Sequence, residues 1–343
     1  MDEEFTALPD LASRRLGGSV RYATDEFYGD AHSLIAAGPA EHDPALFGPR
    51  GKIYDGWETR RRRDTGADFV IVKLAAPSVV RGTIIDTSHF RGNFPPFASV
   101  EGTTLLGYPG VGELLSARWQ TLVDKTNQEG DAANMRAASG PDQLVTHVRL
   151  TIDPDGGVAR FRVHGEVVPD PRLLGGRVDL AATVFGGRVV SCSDMFYSAP
   201  GNVLAPGRAA VMSDGWETAR RRDDGNDWMV VSLAAPAVLH DVIIDTSRFV
   251  GNSPGWAALT DDQTGTALLH RTRLLPDTEH RFRISAGGQV TRVRLDIFPD
   301  GGISRLRLAG EVPPGARDAV IRRWLSLLPA DQASQVDPAE FFD

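Results

Sequence analysis

Two polar segments of the chain contain the residue types that could carry out chemistry. The first has carboxylates, an aromatic ring and four successive guanidinium groups, at Asp55, Trp57, Glu58 and positions 60–63. The second has a hydroxyl, an imidazole, a guanidinium and an amide, at Ser88, His89, Arg91 and Asn93. A histidine can transfer protons near neutral pH, and an arginine fork pairs both oxygens of a carboxylate. Together the segments would suit proton transfer on a small anionic molecule. The alternative for the arginine run is a solvated loop paired with Asp64 and Asp68.

The strands beside these segments would bring them to one edge. Apolar and β-branched residues predict a strand over residues 69–74, closed by an Ala-Ala-Pro turn, and a second strand over residues 83–86. If the second strand returns beside the first, the loop that enters one and the loop that leaves the other lie at the same end. Residues 148–152 and 160–164 predict a hairpin around the turn at 154–157. Short strands with Gly and Pro turns indicate an all-β antiparallel sandwich or jelly roll.

The chain is an internal duplication. The block Asp-Gly-Trp-Glu-Thr at residues 55–59 recurs at residues 214–218, an offset of 159, and Gly92-Asn93 recurs as Gly251-Asn252. A unit of this length suits one small domain rather than a solenoid turn. We therefore predict an N-terminal arm at 1–17, repeats at 18–168 and 185–314, a linker at 169–184 and a tail at 315–343. Residues 317–328 of the tail place apolar side chains on one helical face.

The two copies differ where chemistry would depend on it. His89 is replaced by Arg248, Arg60 by Ala219, Lys73 by Ser232 and Phe94 by Ser253. Since these differences fall in or near the polar segments, we expect the polar edges of the two repeats to have different functions. The alternatives for the second edge are a second site, completion of the first site, or a scaffold.

Composition restricts the partners and the compartment. The chain has 343 residues, with 37 Lys and Arg against 45 Asp and Glu, and its net charge of −8 argues against nucleic acid and anionic membranes. A single cysteine, Cys192, and the absence of a long apolar run favour the cytoplasm. The sequence lacks His-Glu-x-x-His, Cys-x-x-Cys and a phosphate-binding lysine loop. Glu41, His42 and Asp43 are adjacent and would point apart on an extended chain, so no motif supports a metal site and a divalent metal is left to experiment.

Four motifs together resemble the allantoicase family. They are Asp25-Glu26-Phe27, Lys-Ile-Tyr-Asp-Gly-Trp-Glu-Thr-Arg-Arg at 52–61, Asp-Thr-Ser-His-Phe at 86–90, and Gly-Asn-Phe-Pro at 92–95. The resemblance covers residues 18–314, including the duplication. It implies two tandem galactose-binding-like jelly-roll domains, which agrees with the predicted strands and a short C-terminal helix. It also implies hydrolysis of allantoate to ureidoglycolate and urea.

The resemblance gives the polar residues roles. Glu58 or Asp55 would activate water and His89 would protonate or orient the leaving urea, although the carboxylate and histidine roles could be exchanged. The expected substrate contacts are Trp57, Arg61, Arg62, Asn93, Glu217, Arg220, Arg221 and Asn252. For Trp57 the alternative is an anchor in the core. We expect a homo-oligomer in which the repeats cooperate, and no cofactor is required by the sequence.

Two other functions compete with this one. Sandwiches of this type often bind ligands without catalysis, and a related hydrolase could act on another ureide such as ureidoglycolate. The density of acid–base and cationic residues disfavours a simple binding module, and a small substrate panel separates the hydrolases.

Overall fold

The computed structural model describes residues 4–284, 287–334, 336 and 341. Its strands are β1 (Ser19–Ala23), β2 (Phe47–Gly48), β3 (Gly51–Lys52), β4 (Trp57–Glu58), β5 (Asp68–Asp86), β6 (Phe97–Thr103), β7 (Gln120–Asn127), β8 (Ala133–Ala137), β9 (Val145–Asp153), β10 (Gly157–Val158), β11 (Arg160–Val167), β12 (Val178–Asp179), β13 (Arg188–Cys192), β14 (Trp216–Glu217), β15 (Asp227–Asp245), β16 (Trp256–Asp261), β17 (Ala267–Arg273), β18 (Glu279–Arg283), β19 (Val290–Phe298), β20 (Gly302–Ile303) and β21 (Arg305–Glu311). The helices are α1 (Val111–Ser116), α2 (Pro314–Leu327) and α3 (Ala330–Ala333), and short 3-10 turns cover Glu4–Ala7, Arg14–Leu16, Ala31–Ile35, Pro171–Leu174, Thr183–Phe185, Pro200–Leu204 and Met212–Asp214. The predicted all-β fold of two tandem jelly rolls is confirmed.

The chain forms two compact units. The first comprises Met1–Val168 with Leu327–Ser334, and the second comprises Pro169–Ser326 with Gln335–Asp343. The first unit includes the stretch predicted as an arm, because Leu11 and Ala12 are fully buried in its core. In the second unit, β12 lies in the stretch predicted as a linker and pairs with β21.

A bent 19-residue strand organises the first unit. The first half of β5 pairs with β9, with Asp68 opposite Ile152, and the second half pairs with β11, with Asp86 opposite Arg160. The register shifts between Lys73 and Ser78, where the chain crosses from one layer of the sandwich to the other. The two predicted strands are therefore halves of one strand, but their outer ends do return to the same edge.

One predicted pairing is wrong. Residues 148–152 and 160–164 were expected to form a hairpin, whereas β9 pairs with β6 and the first half of β5, and β11 pairs with the second half of β5. The chain between them crosses the sandwich edge, and there β10 pairs with β4. The alternation of apolar and charged residues is the same in either arrangement, because each strand has one face toward the core.

The second unit repeats this plan. The first half of β15 pairs with β13 and β19, and the second half pairs with β18 and β21. At its edge, β14 pairs with β20 as β4 pairs with β10. Cys192, at the end of β13, packs against the core of this unit, and burial raises the pKa of its thiol. A structural role for this cysteine fits that environment.

The tail helix is present as predicted. In α2 and the residue after it, Ile321, Trp324 and Leu328 are buried, and they are spaced on one face. Among the described residues, none of the helices has the length and apolar character required to span a bilayer.

Trp57 is buried in the core of the first unit and anchors the polar segment that begins at Asp55. Its exposed fraction is 0%, and its indole Nε1 donates a hydrogen bond of 2.7 Å to the backbone oxygen of Asp25. We expect Trp57→Ala to destabilise the first unit by about 3–5 kcal/mol, because it leaves a large cavity and an unpaired carbonyl. Chemical denaturation followed by circular dichroism measures the loss. Tyr108→Ala is the control, since that side chain is 94% exposed and should change stability by less than about 0.5 kcal/mol. Equal midpoints for both variants would contradict the anchoring role.

Candidate active site

Glu58 and Asn93 meet at the edge of the first unit. The backbone oxygen of Asn93 accepts a hydrogen bond of 2.7 Å from Gly157 in β10, which is the partner strand of β4. This seats the amide Nδ2 of Asn93 at 2.7 Å from Oε1 of Glu58, to which it donates. Partial burial raises the pKa of Glu58, and the Asn93 hydrogen bond opposes that rise. Glu58 is therefore a carboxylate with increased basicity and one fixed oxygen.

Asp55 is held differently. Its carboxylate pairs with the buried Arg160, with 2.5 Å between Oδ2 and Nη2, and Oδ2 also accepts a hydrogen bond of 3.0 Å from the amide of Glu41. Burial alone would raise the pKa of Asp55, but the hydrogen bonds from Arg160 and Glu41 outweigh it and lower the pKa. A carboxylate that remains ionised and is already paired is a weak base. Of the two candidates, the geometry favours Glu58 as the base.

His89 projects from a backbone in the left-handed region, with φ of 71°. Its amide donates to Oδ1 of Asp131 over 2.7 Å, which stabilises this uncommon conformation. The ring atom Nε2 lies 3.3 Å from the backbone oxygen of Ala40. Since a carbonyl can only accept, Nε2 carries the hydrogen of this bond, and Nδ1 of the neutral ring is the nitrogen with the lone pair. Nδ1 is thus the atom through which His89 can exchange a proton.

The arginine run divides into structural and exposed members. Arg60 pairs with Asp25 over 2.7 Å, and Arg62 pairs with Asp68 over 2.7 Å. Arg62 also contacts Asp64. For this residue the alternative interpretation is therefore correct: the arginine pairs with acidic residues of its own loop. Within the part of the chain that the structure describes, the exposed Arg61 side chain has no hydrogen-bond or ion-pair partner. Arg63 is exposed in the same way, so Arg61 and Arg63 are the members of the run whose charge is not used within the described fold, whereas Arg62 and the buried Trp57 are occupied.

The second unit retains the framework but changes the chemistry. Asn252 donates to Glu217 over 2.5 Å, and its backbone oxygen accepts from Gly302, as in the first unit. Arg221 is paired with Asp223 and Asp227, and Arg220 is exposed. Arg248 occupies the position of His89 and has the same left-handed backbone, with φ of 75°. An arginine remains protonated, so this edge has no equivalent of the titratable imidazole.

A longer loop distinguishes the first edge. Asp25 and Asp55 are 30 positions apart, whereas their counterparts Asp194 and Asp214 are 20 apart, so the first unit has ten additional residues here. This loop contains β2 and β3, supplies the Ala40 oxygen to His89, and supplies the Glu41 amide to Asp55. Neither contact was predicted from the sequence. Comparison of the two spacings is the signal that could have identified the loop.

Metal ligands do not converge on Glu58 or His89 among the described residues. The three groups close enough to share an ion are the exposed Glu26, Asp30 and His32, with ligand atoms within 4.8 Å of one another. Glu26 accepts from the amide of Ala31, and Asp30 accepts from both the amide and Nδ1 of His32. The three side chains therefore lie close together because they form hydrogen bonds that stabilise the backbone of this turn.

These observations define a tandem jelly-roll protein with a carboxylate, an amide and an imidazole at the edge of its first unit. The family profile described as "Allantoicase repeat" matches residues 9–168 and 178–313. The chain belongs to the allantoicase family. It is 51% identical over 315 residues to a probable allantoicase of Nocardia farcinica, covering 90% of this chain and 95% of that protein. A probable allantoicase of Streptomyces avermitilis is 49% identical, with 95% and 91% coverage. The crystal structure of allantoicase from Saccharomyces cerevisiae superposes with a TM-score of 0.78 at 32% identity, with 90% and 97% coverage.

Proposed function

We propose that this chain is an allantoicase, which hydrolyses allantoate to (S)-ureidoglycolate and urea. The observation that carries the proposal is that the first edge of this family member has both a carboxylate of raised pKa, Glu58, and an imidazole, His89, whose Nε2 is hydrogen-bonded so that Nδ1 can exchange a proton. Allantoate has a carboxylate and two ureido groups on one carbon. Loss of one urea requires a new C–O bond from water, cleavage of a C–N bond, and a proton on the departing nitrogen.

Glu58 supplies the base. Its carboxylate removes a proton from water as the water oxygen bonds to the central carbon. The hydrogen bond from Asn93 occupies Oε1, so Oε2 is the oxygen that faces the water. The raised pKa of Glu58 increases the driving force for this proton transfer, since a base is most effective when its pKa approaches the working pH.

His89 supplies the acid. In its protonated form the ring holds Nε2–H against the Ala40 oxygen and has a second hydrogen on Nδ1. Nδ1 delivers that hydrogen to the leaving nitrogen as the C–N bond breaks, which releases neutral urea. The proton that Glu58 takes from water replaces the one that His89 gives up, so one water is consumed and no net proton is released.

Binding requires a cation and polar groups for the ureas. Arg61 would pair with the substrate carboxylate, because its guanidinium is exposed and has no partner within the described residues. The amide of Asn93 lies beside the base and can also face a ureido group. Substrate contact by Glu217, Arg220, Arg221 and Asn252 in the second unit stays a prediction.

Urea release from allantoate tests the function directly. We expect turnover of allantoate, with urea and ureidoglycolate formed in equal amounts, and much slower turnover of ureidoglycolate and allantoin. Binding of allantoate without urea release would favour the non-catalytic alternative, and preference for ureidoglycolate would favour the related hydrolase. Assays after chelation and after addition of divalent ions test for a metal requirement.

The pH dependence should report on Asn93. Because the Asn93 hydrogen bond lowers the pKa of Glu58, Asn93→Leu should raise that pKa further above its ordinary value. Glu58 must be deprotonated to act as the base, so the acidic limb of the kcat/KM profile should move to higher pH. Asn252→Leu makes the same change beside Glu217 and should leave the limb in place. An unmoved limb in Asn93→Leu would remove Glu58 from the role of base.

We also infer a cytoplasmic homo-oligomer. The lone, half-buried Cys192 suits a reducing compartment, and the net charge of −8 gives no reason for nucleic-acid binding. Light scattering on the purified chain measures the oligomeric state.

A further inference from the structure

The imidazole of His89 has a second imidazole packed against it. The ring of His42 stacks on that of His89 with centroids 4.9 Å apart and planes 16° apart. His42 has two further contacts: its ring centroid lies 6.0 Å from that of Tyr54, and its Nε2 is 3.5 Å from Nζ of Lys52. His42 comes from the loop that is ten residues longer in the first unit. Arg248, the counterpart of His89, therefore lies on an edge with the shorter loop.

We propose that His42 is a positioning residue for His89: by stacking on the His89 ring it holds Nε2 at the Ala40 oxygen, and that hydrogen bond fixes which ring nitrogen carries the hydrogen. This inference rests on the proposed function only for the reaction that is measured. A single hydrogen bond of 3.3 Å at Nε2 does not by itself prevent the His89 ring from rotating away from the Ala40 oxygen. A ring stacked against its face restricts that rotation and keeps Nδ1 in one direction.

The surroundings of His42 suit this role better than proton transfer or metal binding. Partial removal from water lowers the pKa of His42, and the nearby positive groups Lys52, His89 and Arg91 lower it further, against a smaller opposite effect of Asp43. The lowered pKa favours the neutral form of His42, which avoids a second positive charge against His89 when the latter is protonated. The Lys52 ammonium stands where a cation bound to Nε2 of His42 would have to lie.

Kinetics of three variants test the stacking. His42→Ala and His42→Gln remove the ring and should lower kcat about 10²-fold, the typical loss when a catalytic group is misplaced by about 1 Å, with KM changed much less. His42→Phe keeps an aromatic face and should retain kcat within about fivefold of the wild type. His270→Ala removes an exposed histidine of the second unit and is the control. Circular dichroism confirms that each variant is folded.

A spectroscopic measurement tests the same inference without any substrate. Long-range ¹H–¹⁵N correlation spectra should show the Nε2–H tautomer for His89 in the wild type and in His42→Phe, and a mixture of tautomers in the ring-less variants. Wild-type kcat or an unchanged His89 tautomer in both ring-less variants would overturn the inference. An equal loss in His42→Phe would also overturn it, because the ring nitrogens rather than the stack would then be required. If the wild type released no urea from allantoate, the proposed function would fail while the tautomer measurement still decided the role of His42.

Discussion

Replacing Glu58 by Gln is expected to lower kcat for urea release by about 10²–10⁴-fold, the usual contribution of a general base. Glutamine preserves the shape of the side chain and can still contact Asn93, but it cannot take a proton from water. Initial rates of urea formation at saturating allantoate measure the effect. Because the change is nearly isosteric at a half-buried site, we expect the unfolding midpoint to stay close to that of the wild type.

The duplicated chain provides a matched variant for this experiment. Glu217→Gln makes the same substitution against the same amide, Asn252, in the second unit. We expect it to reduce kcat far less than Glu58→Gln, since Arg248 cannot act as an acid there. Two independent and equal sites would leave about half of the activity in each single variant. That outcome, or equal large losses from both, would assign catalysis to both units.

Replacing His89 by Gly should abolish most of the activity, and free imidazole should restore part of it. Glycine accepts a φ of 71° without strain, so the loop should keep its conformation while the imidazole is lost. We expect kcat to fall by about 10²–10⁴-fold. Free imidazole added to the assay should recover part of that activity, because it can occupy the vacated space and donate a proton to the leaving urea.

Arg248→Gly is the corresponding change in the second unit, where φ is 75°. It should lower kcat much less, and imidazole should have no effect on it. If His89→Gly retained full activity, or if imidazole stimulated both variants equally, His89 would not be the acid.

The duplication made the fold predictable, and the crossing strand explains what was missed. Alternating side chains identified strand residues on both sides of positions 74–77, but periodicity alone does not show whether the chain turns within one layer or passes into the other. The register of β5 shows the second arrangement. The prediction that the neighbouring loops meet was correct because both arrangements reverse the chain direction. The predicted hairpin failed for the same reason, since its two strands pair with different halves of β5.

The site was predictable only where the chemistry is local in sequence. Glu58, Asn93 and His89 lie in the repeated block, and comparison of the copies identified His89 as different. Arg160 could not be assigned in this way, because it is 105 positions from Asp55, and only the pairing of β11 with β5 brings them together. Arg62 has the residue type of an anion-binding group, yet its neighbours Asp64 and Asp68 use its charge within the fold. Residue type and local spacing show which groups could react, whereas long-range pairing decides which of them remain available.

The bent strand β5 also determines how the edge that contains Glu58 and Asn93 can unfold. One half of the strand lies in each layer of the sandwich, so neither layer can separate without breaking hydrogen bonds of the other. Partial openings in which one sheet peels away should therefore be suppressed, and amide hydrogens near residues 70–72 and 84–85 should exchange with similar protection. Since Glu58 and Asn93 lie at the edge where the ends of this strand meet, heat inactivation should coincide with cooperative unfolding of the first unit rather than precede it.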